Sequence, residues 1–346
     1  MQCVGGWSKL QRMRARALLL VALLACAGCR RGPGGPVDPT NADLSPCPSG
    51  APHLVVGLRA PYEATQAIAR YTHDLTLCRG AALPAAEHGA IVAVGALADG
   101  ADVVGFQGDY RGGKLARIEG ASITAQVEDE AAYPISIAPV TYEGQPAIAV
   151  VWGTRNSSSF DGERVAIYAE AGLASLASFD VASELIAVTA PPSGQPSRLA
   201  GLIAGGLQEY RPELASLATT GELQVALPSG VFYRNTLDVR GAEVRVASRE
   251  GVLSWRAGSA PAFLGPVSCR WPDTVDTRLP VEAAEYLAAV VDPRAPDDTL
   301  VLVSGELEGG SDVTSHLFVL RPRGECLFVG PMMLEDHHAV AMAFSR

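Results

Sequence analysis

The chain has 346 residues, 27 basic and 37 acidic, with a formal net charge of −10. No Lys/Arg-rich stripe lies beyond the N-terminal stretch, which argues against nucleic acid or an anionic membrane face as partner. Thirty-six glycines and 24 prolines in a chain that is 48% hydrophobic fit many tight turns between apolar segments.

At the N-terminus, Lys9, Arg12, Arg14 and Arg16 precede "ALLLVALLACAG", an uncharged run over 17–28. This suits the core of a signal peptide and is short for a spanning helix of roughly 20 residues. It ends in "CAGC", with the small residues Ala27 and Gly28 directly before Cys29. The pattern resembles the lipobox of bacterial lipoproteins. That resemblance implies a signal peptide over 1–28, cleavage before Cys29 and a lipid on Cys29. Cys26 is the alternative attachment site. It stands where the family usually has Leu, and cleavage before it would put Leu24 in the small middle position. A CxxC redox or metal pair is disfavoured because no βαβ pattern surrounds it. In the Gram-negative sorting logic this resembles, an acidic second residue favours inner-membrane retention. Arg30 therefore points to a lipid-anchored envelope protein at the outer membrane.

Residues 29–50, including "RRGPGGPVDPTNADLSPCPS", have almost nothing to bury and read as a Pro/Gly-rich tether. Without 1–28 the chain keeps 23 basic against 37 acidic residues, a formal net charge of −14. Four cysteines follow the anchor: Cys47, Cys78, Cys269 and Cys326. An even number in an exported chain predicts two disulfides. Spacing leaves three pairings open. Position favours Cys47–Cys78, which would pin the tether to an outer strand, and Cys269–Cys326. None has the spacing of a zinc site.

From 51 to 346 the chain reads as short apolar runs broken by Gly, Pro, Asp and Ser. Examples are "HLVVGLRA" (53–60), "AIVAVGAL" (90–97), "PAIAVVWGT" (146–154) and "TLVLVSG" (299–305), with "LASLASFD" (173–180) and "ELIAVTA" (184–190) read as strands of successive units. The class is all-β. A degenerate unit of four strands recurs, with second strands starting near His53, Asp102, Ala147, Leu199, Glu243 and Thr299. The spacing of 44 to 56 residues, read from these starts, is that of one propeller blade. The expectation is a β-propeller of six four-stranded blades, with seven blades or a β-sandwich as alternatives. The first unit lacks a first strand. The chain's end supplies one: "EHGAIVAV" (87–94) aligns without gaps on "DHHAVAMA" (336–343). Ala339 to Phe344 should therefore pair with the strand beginning near His53, with Val340, Met342 and Phe344 on one face. No Trp-Asp, kelch or Tyr-Trp-Thr-Asp signature is present, so no propeller family can be named.

Chemistry is sparse. GxSxG, HExxH, P-loop, GxGxxG and calcium-loop motifs are absent. Glu335, Asp336, His337 and His338 suggest a metal site, but adjacent strand residues point to opposite faces, which favours a solvated strand entry. "NSSSFDGE" (156–163) reads as a long hairpin turn, and Glu128, Asp129 and Glu130 as a solvated loop rather than a glycosidase pair. Trp152, Trp255 and Trp271 are expected in blade cores. No catalytic, cofactor-binding or metal residue is assigned, and no cofactor is expected. The reading is a lipid-anchored envelope binding or scaffold protein, joined to the membrane through its lipid and to a protein or envelope component. The alternative is an extracytoplasmic hydrolase or lyase acting on polysaccharide or peptidoglycan.

Overall fold

A computed structural model describes residues 38–59, 66–108, 112–156, 159–192, 194–195, 198–203, 206–226, 232–248, 251–256, 259–260, 262–264, 285–306, 313–321, 326–331 and 338–345. The chain divides into two units, 1–35 and 36–346, and these residues belong to the second. Cys26 and Cys29, with the signal and its cleavage site, lie outside them.

The fold is all-β, with one short helix among the described residues, α1 (Ala85–His88). The first sheet has the order β23-β1-β2-β3: β1 (His53–Arg59), β2 (Gln66–Thr72), β3 (Leu77–Ala82) and the C-terminal β23 (His338–Phe344). The second is β4 (Ala90–Ala96), β5 (Asp102–Gln107), β6 (Gly113–Glu119) and β7 (Ser122–Asp129). A seven-stranded third sheet joins β8 (Tyr133–Tyr142), β9 (Gln145–Asn156), β10 (Ser159–Ala169) and β11 (Ser175–Thr189) to β12 (Leu199–Ile203), β13 (Gly206–Glu213) and β14 (Ser216–Ala226). The fourth is β15 (Phe232–Arg240), β16 (Glu243–Ser248), β17 (Gly251–Arg256) and β18 (Ala262–Leu264). The fifth is β19 (Glu285–Val291), β20 (Thr299–Glu306), β21 (Val313–Leu320) and β22 (Cys326–Pro331).

Burial explains the sequence pattern. Inner strands such as β1 and β4 are packed on both faces, so they read as continuous apolar runs. The outermost β7 alternates exposed and half-buried residues along its whole length, as an edge strand does. The sheets stack face to face. Leu54, Val56, Met342 and Phe344 of the first sheet meet Val290 and Leu300 of the fifth. Val55, Ile68 and Ala341 of the first meet Ile91, Val94 and Val104 of the second. Val103 and Leu115 of the second meet Val150 and Trp152 of the third. Ala187, Leu202 and Leu207 of the third meet Leu237, Val246 and Trp255 of the fourth. The inner strands touch in succession: β23 against β4, β4 against β8, β8 against β11, β11 against β15, β15 against β19, and β19 against β23.

The C-terminal strand pairs antiparallel with β1, in a register from Leu54↔Phe344 to Arg59↔His338. One detail departs from the expected face. The register slips between Gly57 and Leu58, leaving Val340 as the extra residue of a bulge. Val340 consequently packs on the second sheet's side with Ile91, while Met342 and Phe344 face the fifth sheet.

Three other expectations are revised. "LASLASFD" and "ELIAVTA", read as separate strands, are one strand, β11. Its first half pairs with β10 and its second half with β12, so two of the six expected units share one sheet. "NSSSFDGE" is mostly ladder rather than turn, because Asn156↔Ser159 and Thr154↔Asp161 pair across β9 and β10. Residues 38–50, within the expected tether, are docked on β3 in a parallel bridge between Pro46 and Arg79. Trp152 and Trp255 lie in the core as expected, and Trp271 falls outside the described residues.

Candidate functional site in the roofed groove

The docked segment forms one wall of a groove of about 480 Å³ between the first and second sheets. Arg79 N donates to Ser45 O (2.8 Å) and Gly80 N to Pro39 O (2.8 Å). The Arg79 guanidinium closes the contact, with Nε on Leu44 O at 2.9 Å and Nη2 on Ala42 O. Cys47 and Cys78 are joined by a disulfide with Cα atoms 5.3 Å apart, within the range such bonds span. The segment is thus a strap with a covalent staple.

Below the strap, His53, Arg70 and Asp102 form a buried ionic group. His53 Nε2 and Asp102 Oδ1 lie 2.7 Å apart, and Arg70 Nε donates to Asp102 Oδ2 at 2.5 Å. His53 opens β1 and Asp102 opens β5, so equivalent positions of neighbouring sheets meet. Arg117, on β6, is held by Asp99 in the β4–β5 turn and by Glu119. Its Nη1 also donates to Thr124 Oγ1 at 3.2 Å. Arg70 Nη2 and Arg117 Nε are buried and have no hydrogen-bond partner among the described residues. Both arginines line the groove.

A related arrangement joins the fourth and fifth sheets. Arg245 is fully buried and donates to Thr299 Oγ1 (2.7 Å), Glu243 Oε2 (3.2 Å) and Pro296 O (2.9 Å). A second groove, of about 500 Å³ between the first and fifth sheets, is edged by Asp74, Asp298, Arg294 and Arg321. Burial outweighs the opposing pull of Arg321 and holds the Asp298 carboxyl above its ordinary range. A small space of about 30 Å³ lies among Thr189, Leu237, Val290 and Met342.

The residues singled out in the sequence are dispersed. His338 opens β23, whereas Glu335, Asp336 and His337 lie outside the described residues. Cys326 opens β22 and Cys269 lies outside, so that pairing is not placed. His88 packs beside the Phe106 ring, with ring centres 5.5 Å apart. Glu128 pairs with Lys114 at 3.1 Å. Asp129 accepts from the backbone N–H groups of Ala131 and Ala132 and from Arg164. Burial raises the Asp129 carboxyl, but those donors outweigh it and hold it below the usual carboxylate range. Among the described residues no three His, Cys, Asp or Glu side chains are grouped to hold a metal ion. No described helix is long and apolar enough to cross a membrane.

The groove's arginines went unread in the sequence because each stands alone in an apolar run, "QAIARYT" and "KLARIE". A charge at an inward position of such a run was the available signal.

No protein-family model matches the chain, and no curated protein matches it. A solved structure described as a functionally unknown protein from Desulfotomaculum acetoxidans DSM 771 is similar at 12% identity and a TM-score of 0.49, over 86% of this chain and 99% of that one.

Proposed function

We propose that residues 51–346 form a six-bladed propeller carried on a lipid-anchored envelope protein, which serves as a binding platform or scaffold. The succession of inner-strand contacts returns from β19 through β23 to β4, as a closed ring requires. The third sheet then counts as two blades sharing β11. The lipid anchor rests on the resemblance of "CAGC" to a lipobox.

One observation carries the scaffold reading: two groups of buried charged side chains join sheet to sheet. His53, Arg70 and Asp102 do this at one junction, and Arg245 with Thr299 at another. Such groups stiffen the body that presents the turns, which suits a platform.

Labelling cells with an alkyne fatty acid tests the anchor. The label should be lost in Cys29→Ala and kept in Cys26→Ala, and an unlabelled wild-type chain would refute the reading. Cross-linking in intact cells tests the platform, with one discrete adduct expected. Release of soluble fragments from purified polysaccharide or peptidoglycan would favour the hydrolase or lyase instead.

A further inference from the structure

We propose that the groove under the strap binds a small carboxylate, recognised by the outer fork of Arg70 with Arg117 beside it. The inference stands on the groove alone and does not depend on the lipid anchor.

The chemistry follows from what the groove's charged groups leave over. A guanidinium offers five N–H donors. Arg70 uses Nε on Asp102, and its Nη1 makes one long contact of 3.4 Å to Arg79 O. Nη2 has no partner among the described residues, although the side chain is only 6% exposed. Arg117 commits both Nη atoms to Asp99, Glu119 and Thr124 and leaves Nε without a partner among the described residues. Buried donors without acceptors are costly, and native proteins rarely keep them unless water or a ligand fills the place. The surplus is of donors, so the ligand must accept.

Charge narrows the class. Arg70, Arg79 and Arg117 balance Asp99, Asp102 and Glu119 in formal charge when His53 is neutral. A dianion would bring two uncompensated charges into this wall, whereas a carboxylate brings one. Its two coplanar oxygens match the Nη1–Nη2 fork. The space of about 480 Å³ suits a small molecule rather than a bare ion. Pro46 and Pro48 of the strap give its remainder an apolar wall.

The test is thermal unfolding of the oxidised protein in sodium chloride, acetate, N-acetylglycine or phosphate at matched ionic strength. Acetate and N-acetylglycine should raise the midpoint saturably above chloride, and phosphate should not. Arg70→Lys, which keeps the charge and loses the fork, should weaken the apparent affinity about tenfold or more, the loss of a charge-assisted hydrogen bond. Because Arg70 also holds Asp102, a second variant is needed. Ala121, an exposed lining residue, belongs to no ion pair, so Ala121→Trp crowds the groove while keeping every charged group and should abolish the response. The proposal fails if no carboxylate exceeds chloride, if phosphate does as well as acetate, or if Ala121→Trp responds like the parent.

Discussion

A methyl group added at Gly95 would stand 2.7 Å from Cγ2 of Ile137 in the neighbouring sheet, and one at Gly105 would stand 2.9 Å from Cβ of Pro134. These glycines are holes into which the next sheet inserts a side chain. Gly95→Ala should lower stability by about 1–3 kcal/mol, the usual cost of overpacking a core. Chemical denaturation measures it, and an unchanged midpoint would mean the sheets are not in this contact. Asp129 makes a different prediction. Its carboxyl is held below its ordinary value of about 3.9, so its stabilisation is complete above that value and is lost as pH falls through the lowered one. Asp129→Asn should therefore unfold at a lower temperature at pH 7, with the difference closing in acid. A difference that persists at the lowest pH would assign the effect to packing. The single residues were the least legible part of the sequence. His53 meets Asp102 across 49 positions and Arg245 meets Thr299 across 54, about one repeat in each case. Each looks isolated until the fold brings strands of neighbouring sheets side by side, β1 against β5 and β16 against β20.

Strands were legible wherever burial was continuous or strictly alternating, as in β1, β4, β9 and β20. Their limits failed where the chain keeps its ladder without a turn. Between Asp180 and Glu184 no Gly or Pro marks the passage from one half of β11 to the other, so one strand of 15 residues read as two. The bulge at Val340 was hidden for a related reason. Alternation counts residues of one strand, and a bulge is a property of the pair. The cysteines predicted that the tether is pinned to an outer strand, but its docking along β3 was not legible, because those contacts use backbone groups and one distant arginine, not an apolar period. Its anchorage can be tested. Cys47 and Cys78 are 31 positions apart, and closing such a loop stabilises by roughly 3–4 kcal/mol in the chain-entropy model. Cys47→Ser with Cys78→Ser should lower the unfolding midpoint and speed hydrogen exchange at the amides of Arg79 and Gly80, which the strap now covers. Unchanged exchange there would show that the hydrogen bonds hold the strap without the disulfide.

At the scale of the molecule, the first sheet is assembled from both ends of the described chain. β1 lies between β2 and β23, and the pairing of β1 with β23 is reinforced from elsewhere. Ser345 N donates to His53 O at 2.9 Å, and His53 N donates to Ser345 Oγ at 2.8 Å. Arg240, from the fourth sheet, donates to Phe344 O (2.6 Å) and Ser345 O (3.0 Å) and lies over the Phe344 ring. Met342 and Phe344 are both buried, each worth roughly 1.5–3 kcal/mol, and the pair alone approaches the lower end of a domain's total stability of about 5–15 kcal/mol. Removing residues 338–346 also strips β1 of one ladder and leaves its backbone groups unpaired. The expected result is loss of cooperative unfolding or a fall of the midpoint by tens of degrees, not a frayed end. His337→Ala and His338→Ala should leave the midpoint within a few degrees, with or without chelator, because adjacent strand residues point to opposite faces and do not share one ion. If the truncated chain melts like the parent, β23 does not close the fold. If the histidine variants fall with chelator while the truncation is tolerated, the end of the chain is a metal site after all.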